Sequence, residues 1–139
     1  GDRLGEANVQ KALGDLALRE ADLGEARRRY EAALAIYPQI GARLGEANTY
    51  LSLGDLFRTT KDFAQAEECY LRAMQFYRQV ADRYSLARVL YRIGDWHAEQ
   101  NQSSDAQTAY EQAINIWNSI GLANLANQII LPRLKNITG

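Results

Sequence analysis

The chain is short of the residues that reactive or cross-linked sites require. A single cysteine, Cys69, and a single histidine, His97, in 139 residues exclude an internal disulfide and a Cys/His zinc site. No apolar run approaches the roughly 20 residues that span a bilayer, and Gly1-Asp2-Arg3-Leu4-Gly5-Glu6 lacks the apolar core of a signal peptide. An excess of one charge is also missing. Sixteen Lys+Arg against 17 Asp+Glu give a net charge of −1, so the chain has no global electrostatic reason to bind nucleic acid or an anionic membrane. There is no Ser/His/Asp set, no glycine-rich phosphate loop and no metal-ligand spacing. The expectation is a soluble cytoplasmic protein that is not an enzyme and carries no cofactor or metal. The sequons Asn101-Gln102-Ser103 and Asn136-Ile137-Thr138 would matter only in a secreted chain.

With two prolines, and with 47% of residues hydrophobic, the sequence is rich in Ala, Leu, Glu, Arg and Gln, which lose little rotamer freedom in a helix. An all-α domain with a substantial core follows. Its organisation is set by an internal repeat. Gly1-x-Arg3-Leu4-Gly5-Glu6-Ala7-Asn8 returns as Gly41-x-Arg43-Leu44-Gly45-Glu46-Ala47-Asn48, and residues 1–40 and 41–80 are identical at 17 of 40 positions without a gap. The same shift superimposes Gly14, Gly54 and Gly94, then Asp15, Asp55 and Asp95, and then Tyr30, Tyr70 and Tyr110. The chain divides into units 1–40, 41–80 and 81–120, with a last segment at 121–139 that starts one residue out of register.

Apolar residues three and four apart define two stripes in each unit, and hence a helix pair. The spacing predicts helices near 3–20, 23–39, 43–60, 63–79, 83–100, 103–118 and 122–136, with Pro132 kinking or dividing the last. Asp22 with Glu25, and Asp62 with Gln65, have the spacing of capping boxes; in the third unit a serine of Ser103-Ser104 is expected to replace the aspartate. Gly14, Gly54 and Gly94 stand inside helices at a cost of about 1 kcal/mol each relative to Ala. Close helix approach onto Ala26, Ala66 and Ala106 is expected to compensate, with the tyrosines as large knobs.

Leu13-Gly14, Ala26, Tyr30, Ala33 and Pro38, with their counterparts Leu53-Gly54, Ala66, Tyr70, Ala73 and Ile93-Gly94, Ala106, Tyr110, Ala113, resemble the tetratricopeptide-repeat (TPR) pattern over residues 1–120. The early aromatic of that pattern is present only as Tyr50, and Pro is replaced by Arg78 and Asn118. The period is 40 rather than 34, which is similar to the longer repeats of kinesin light chains, cell-polarity scaffolds and bacterial signalling arrays. The resemblance implies a right-handed α-solenoid of three helix pairs plus a C-terminal capping or partial-repeat helix, 1–139 forming a single domain that is part of a longer array. It also implies a concave groove lined by the first helices.

The groove candidates are a column on the stripe not used for packing. Asn8, Asn48, Arg88 and Asn127 form one level; Lys11, Leu51 and Tyr91 a second; Ser52 and Arg92 a third; Asp15, Asp55 and Asp95 a fourth. An asparagine ladder suits the backbone of an extended peptide, because each amide both donates and accepts; a hydrogen bond to a neighbouring unit is the alternative. By the resemblance, Lys11, Arg88 and Arg92 stand at the levels of the carboxylate clamp of chaperone-tail-binding members, although Asp15 and Ser52 replace its asparagines; salt bridges to Asp55 or Asp95 are the alternative. The aspartates either receive peptide amides or brace their own helices, with Arg58 and Arg92 compensating the repeated charge. His97 is expected to be packed or semi-buried, and Cys69 a structural thiol. Arg27-Arg28-Arg29 is expected to be solvated or to pair across the outer surface with Glu67-Glu68. The functional expectation is a non-catalytic module binding a peptide segment of a partner protein in the groove. The alternative is a spacer or self-associating segment that stacks through its ends.

Overall fold

The computed structural model describes residues 2–138; Gly1 and Gly139, which open and close the repeat alignment, lie outside the described residues. Eight α-helices follow one another: α1 (Arg3–Arg19), α2 (Leu23–Ile36), α3 (Arg43–Thr59), α4 (Phe63–Gln79), α5 (Arg83–Glu99), α6 (Ser103–Ser119), α7 (Ala123–Ile129) and α8 (Leu131–Thr138). A 3-10 turn (Tyr37–Ile40) follows α2. There is no strand among the described residues. Two compact units result, Gly1–Phe76 and Tyr77–Gly139, the division falling within α4.

α2 stops at Ile36, three residues earlier than its spacing predicts. Pro38 has no N–H for the next helical bond, so the backbone tightens into the 3-10 turn and leaves it through Gly41 in the left-handed conformation (φ 69°). Every turn from α1 to α7 closes the same way. Asp22 N–H donates to Ala17 O, Ala42 to Tyr37, Asp62 to Phe57, Asp82 to Tyr77, Gln102 to His97 and Leu122 to Trp117. These six Schellman-type closures recur every 20 residues, half the sequence period. Each includes one left-handed residue, and at Ala21, Lys61, Ala81 and Asn101 that residue is not glycine.

Helix starts are partly as read. Asp2, Asp22, Asp62 and Asp82 accept the N–H of Gly5, Glu25, Gln65 and Ser85 at 2.8–3.3 Å. The two predicted capping boxes make this forward bond, but their return arms go elsewhere: Gln65 Nε2 donates to the Asp62 carboxylate at 2.7 Å, and Glu25 pairs with Arg28 and Arg29. The expected serine cap of α6 is absent. Gln102 stands at the cap without a side-chain bond to the helix, its Oε1 lying 2.7 Å from His97 Nδ1.

The internal glycines have a specific partner. A Cβ on Gly14, Gly54 or Gly94 would lie 2.5–2.6 Å from the ring of Tyr30, Tyr70 or Tyr110. The ring of the second helix thus rests directly on the backbone of the first, and the tyrosine, rather than the alanine expected from sequence, occupies the gap. Those rings are 0–2% exposed. In the second unit Trp117, 1% exposed, donates Nε1–H to Tyr84 O at 3.1 Å and stacks on the Tyr84 ring. α7 and α8 both pack on α6, joined at the fully buried Ile130. Pro132 divides this last segment, as its missing N–H requires.

Candidate interaction surface

Each aspartate of the expected groove accepts the hydroxyl of its own unit's tyrosine: Tyr30 to Asp15 at 2.7 Å, Tyr70 to Asp55 at 2.6 Å and Tyr110 to Asp95 at 2.5 Å. The column therefore braces the helix pairs. Burial pushes the Tyr30 and Tyr70 hydroxyls up, and the facing carboxylates push them further, so both stay protonated donors. Each carboxylate also has a cation. Lys11 Nζ lies 2.7 Å from Asp15, and Arg58 lies 3.6 Å from Asp55 while donating Nε–H to the Tyr70 hydroxyl at 3.0 Å. At Asp95 the partner that sequence reading missed is Arg133, whose Nε–H is 3.0 and 3.2 Å from the two carboxylate oxygens.

The asparagine level is also tied into the fold. Tyr37 donates its hydroxyl to Asn8 Oδ1 at 2.6 Å, while Asn48 is half-buried on α3 and Asn127 exposed on α7. Lys11 pairs within its own helix one turn on, rather than with Asp55 or Asp95. Leu51 is 2% exposed and belongs to the core, which removes it from the accessible surface. Ser52 lies by the Tyr30 hydroxyl.

The second unit concentrates cations on aromatic rings. The Arg88 guanidinium lies 5.8 Å from the centre of the exposed Tyr84 ring, and those of Arg92 and Arg133 each lie 4.8 Å from the centre of Tyr91. Arg88 and Arg92 sit one turn apart on α5 and are half-buried; Arg92 Nη1 donates to Arg88 O at 3.4 Å. Tyr91 itself is 9% exposed, so it serves as a platform for these guanidiniums. Such stacked, pre-oriented forks suit carboxylates.

The remaining sequence candidates are structural. His97 is half-buried against the edge of Trp96. Cys69 is buried and its thiol pushed up to about 12, chiefly by burial, with Glu68 adding to the effect. Arg27, Arg28 and Arg29 pair within α2, with Glu31, Glu25 and Glu25 respectively, instead of reaching Glu67 or Glu68; Glu68 pairs with Arg72 on its own helix. Partners three and four residues apart on one helix are nearer than any on the next. Among the described residues no group of three or more His, Cys, Asp or Glu side chains is placed to hold a metal, and no helix is long and apolar enough to cross a membrane.

Successive helix pairs locked by a tyrosine on a glycine define a helical-repeat protein. The chain belongs to the tetratricopeptide-repeat family, whose model matches residues 45–119. Members are non-catalytic protein-interaction modules. Two solved structures share the fold. BtubC (BKLC) from P. vanneervenii is 19% identical, with a TM-score of 0.72 over 94% of this chain and 62% of that one. The N-terminal domain of stress-induced protein-1 (STI-1) from C. elegans is 19% identical, with a TM-score of 0.70 over 92% of this chain and 97% of that one. This chain thus spans less than two thirds of the length of BtubC. No curated protein matches it.

Proposed function

We propose that the protein binds a segment of a partner protein on the groove face of its first helices, with Arg88 and Arg92 as anchors for an acidic side chain or terminal carboxylate. The observation that carries this reading is the pair of half-buried guanidiniums one turn apart on α5, supported on Tyr84 and Tyr91. A fork held on a ring loses less freedom on meeting a carboxylate than a solvated one. Asn127 of the same unit then offers its amide to the backbone of the bound segment, while Asp95 holds the platform through Tyr110. The reaction is presentation of a binding surface, without chemistry.

The test is capture from a proteome by the wild-type chain beside an Arg88→Glu/Arg92→Glu variant of equal helicity, followed by cross-linking to locate the contact. A partner held by wild type, cross-linked to α5 and lost in the variant is the expected result. Equal capture by both proteins, or cross-links confined to other helices, would exclude this face.

A further inference from the structure

Equal positions on α2 and α4 carry opposite charges. Arg27 and Arg28 become, forty residues on, Glu67 and Glu68, and all four are exposed. Both stretches belong to the unit Gly1–Phe76, in which α2 and α4 flank a groove floored by Tyr50, Leu53 and Phe57 of α3. The contacts of Tyr30 on Gly14 and Tyr70 on Gly54 repeat in register, so positions forty apart stand at equal levels on two helices that run in the same direction. Within one chain the opposite charges face outward side by side and do not meet. Arg28, its side chain 74% exposed, pairs with Glu25 of its own helix, and Glu67 has no ion-pair partner among the described residues.

The two outer stripes differ in shape as well as in charge. One turn beyond its carboxylates α4 carries Leu71, 48% exposed, where the counterparts Glu31 and Glu111 present charge to water. On α2 the stripe through Arg28 is low at Gly24 and Ala35, both exposed, and a Cβ on Gly24 would meet nothing within 4 Å. One helix thus offers a projecting leucine with acids, and its neighbour a low surface with arginines. The groove shows second helices lying beside one another with these stripes outward, so a further unit at either end of the chain would leave them open.

A two-fold axis parallel to the helices and running along the groove lays α2 of one copy over α4 of the other, and the reverse, with levels preserved. Arg28 of each copy then reaches Glu67 of the other, and Leu71 meets the low stripe. We propose that the outer faces of α2 and α4 associate with those of a second copy of this chain about that axis. Each copy supplies both halves of the contact, whereas a partner of one charge would leave half of the surface unmatched. The surface includes none of Arg88, Arg92 and Asn127, so it operates independently of the groove face of α5.

The test is sedimentation equilibrium of the full chain at low ionic strength, from about 10 µM to about 1 mM. The mass should double across that range, and added salt should weaken the association. Arg28→Glu and Glu67→Arg should each weaken it at least about tenfold at unchanged helicity. An equimolar mixture of these two variants should form a one-to-one pair about as tight as the wild-type dimer, because only the mixed pair sets opposite charges at both contacts. A variant that had merely lost its fold is not repaired by mixing. Leu71→Gln should also weaken the dimer, and Arg88→Glu/Arg92→Glu should leave the mass profile unchanged. A chain that remains a monomer at about 1 mM, charge reversals without effect, or reversals that mixing does not repair would overturn the proposal. A monomer that captures another protein and loses it in Glu67→Arg would overturn it in favour of a basic partner.

Discussion

Arg133 grips Asp95 at 3.0 and 3.2 Å from the alignment position where the three complete units carry Gly14, Gly54 and Gly94. A glycine there admits a tyrosine ring from a second helix. An arginine there makes a clasp from α8 to α5 instead, while Arg133 Nη1 also donates to Ile129 O. The Arg133→Ala variant is expected to lose about 1 kcal/mol, since the side chain is 40% exposed and solvent screens the pair. Hydrogen exchange should quicken in α8 while α5 and α6 remain protected.

The tyrosine braces give a second prediction. Tyr70→Phe removes the hydroxyl between Asp55 and Arg58, and denaturant unfolding should show a loss of about 1 kcal/mol. Gly54→Ala should destabilise by about 1–3 kcal/mol, although alanine is the better helix former, because the new methyl meets the Tyr70 ring at 2.6 Å. A stabilised Gly54→Ala protein would show that the ring can move aside.

Turn substitutions should act in the opposite direction. Ala21, Lys61 and Ala81 hold φ of 55–62°, a conformation costing L-residues about 1 kcal/mol. Ala21→Gly, Lys61→Gly and Ala81→Gly should each stabilise by a few tenths to about 1 kcal/mol, after the entropy that glycine adds to the unfolded chain. Being far apart in sequence, they should add nearly independently, which thermal unfolding of the triple variant checks.

The buried thiol predicts an alkaline limb. Cys69 is pushed up to about 12 in the fold, so above its ordinary value near 8.5 the unfolded chain releases a proton that the folded chain keeps. The associated stability is present below that ordinary value and is lost as pH rises toward about 12. Cys69→Ala should make the decline over this window shallower. At pH 8 the folded protein should react with a thiol reagent far more slowly than the protein in denaturant.

The helix pairs were legible because each relies on residue types that repeat. Gly14, Tyr30 and their counterparts recur at fixed spacing, and one ring meeting one backbone explains both. The aspartates were visible as a column, but sequence could not choose between bracing and binding, since that depends on where a hydroxyl fifteen residues away points. Leu51 was misplaced because its helix is apolar on more than one side. The clasp at Arg133 was hidden by its position, where the repeat has no arginine to compare. The half-period was hidden because the left-handed turn residues are Ala, Gly, Lys, Ala, Asn and Gly, a set without a common letter. Its marks are in the backbone.

That backbone rhythm governs how such a chain can change length. From α1 to α6 one helix and one turn consume 20 residues, so a single insertion between a glycine and its tyrosine rotates that ring away from its glycine while leaving the other pairs in phase. Loss or gain of a whole unit leaves all the remaining contacts in phase. Changes of length should therefore fall outside the stretch from each glycine to its tyrosine, as the one-residue shift at the start of the last segment does, much as a zip shortens between teeth and not through one.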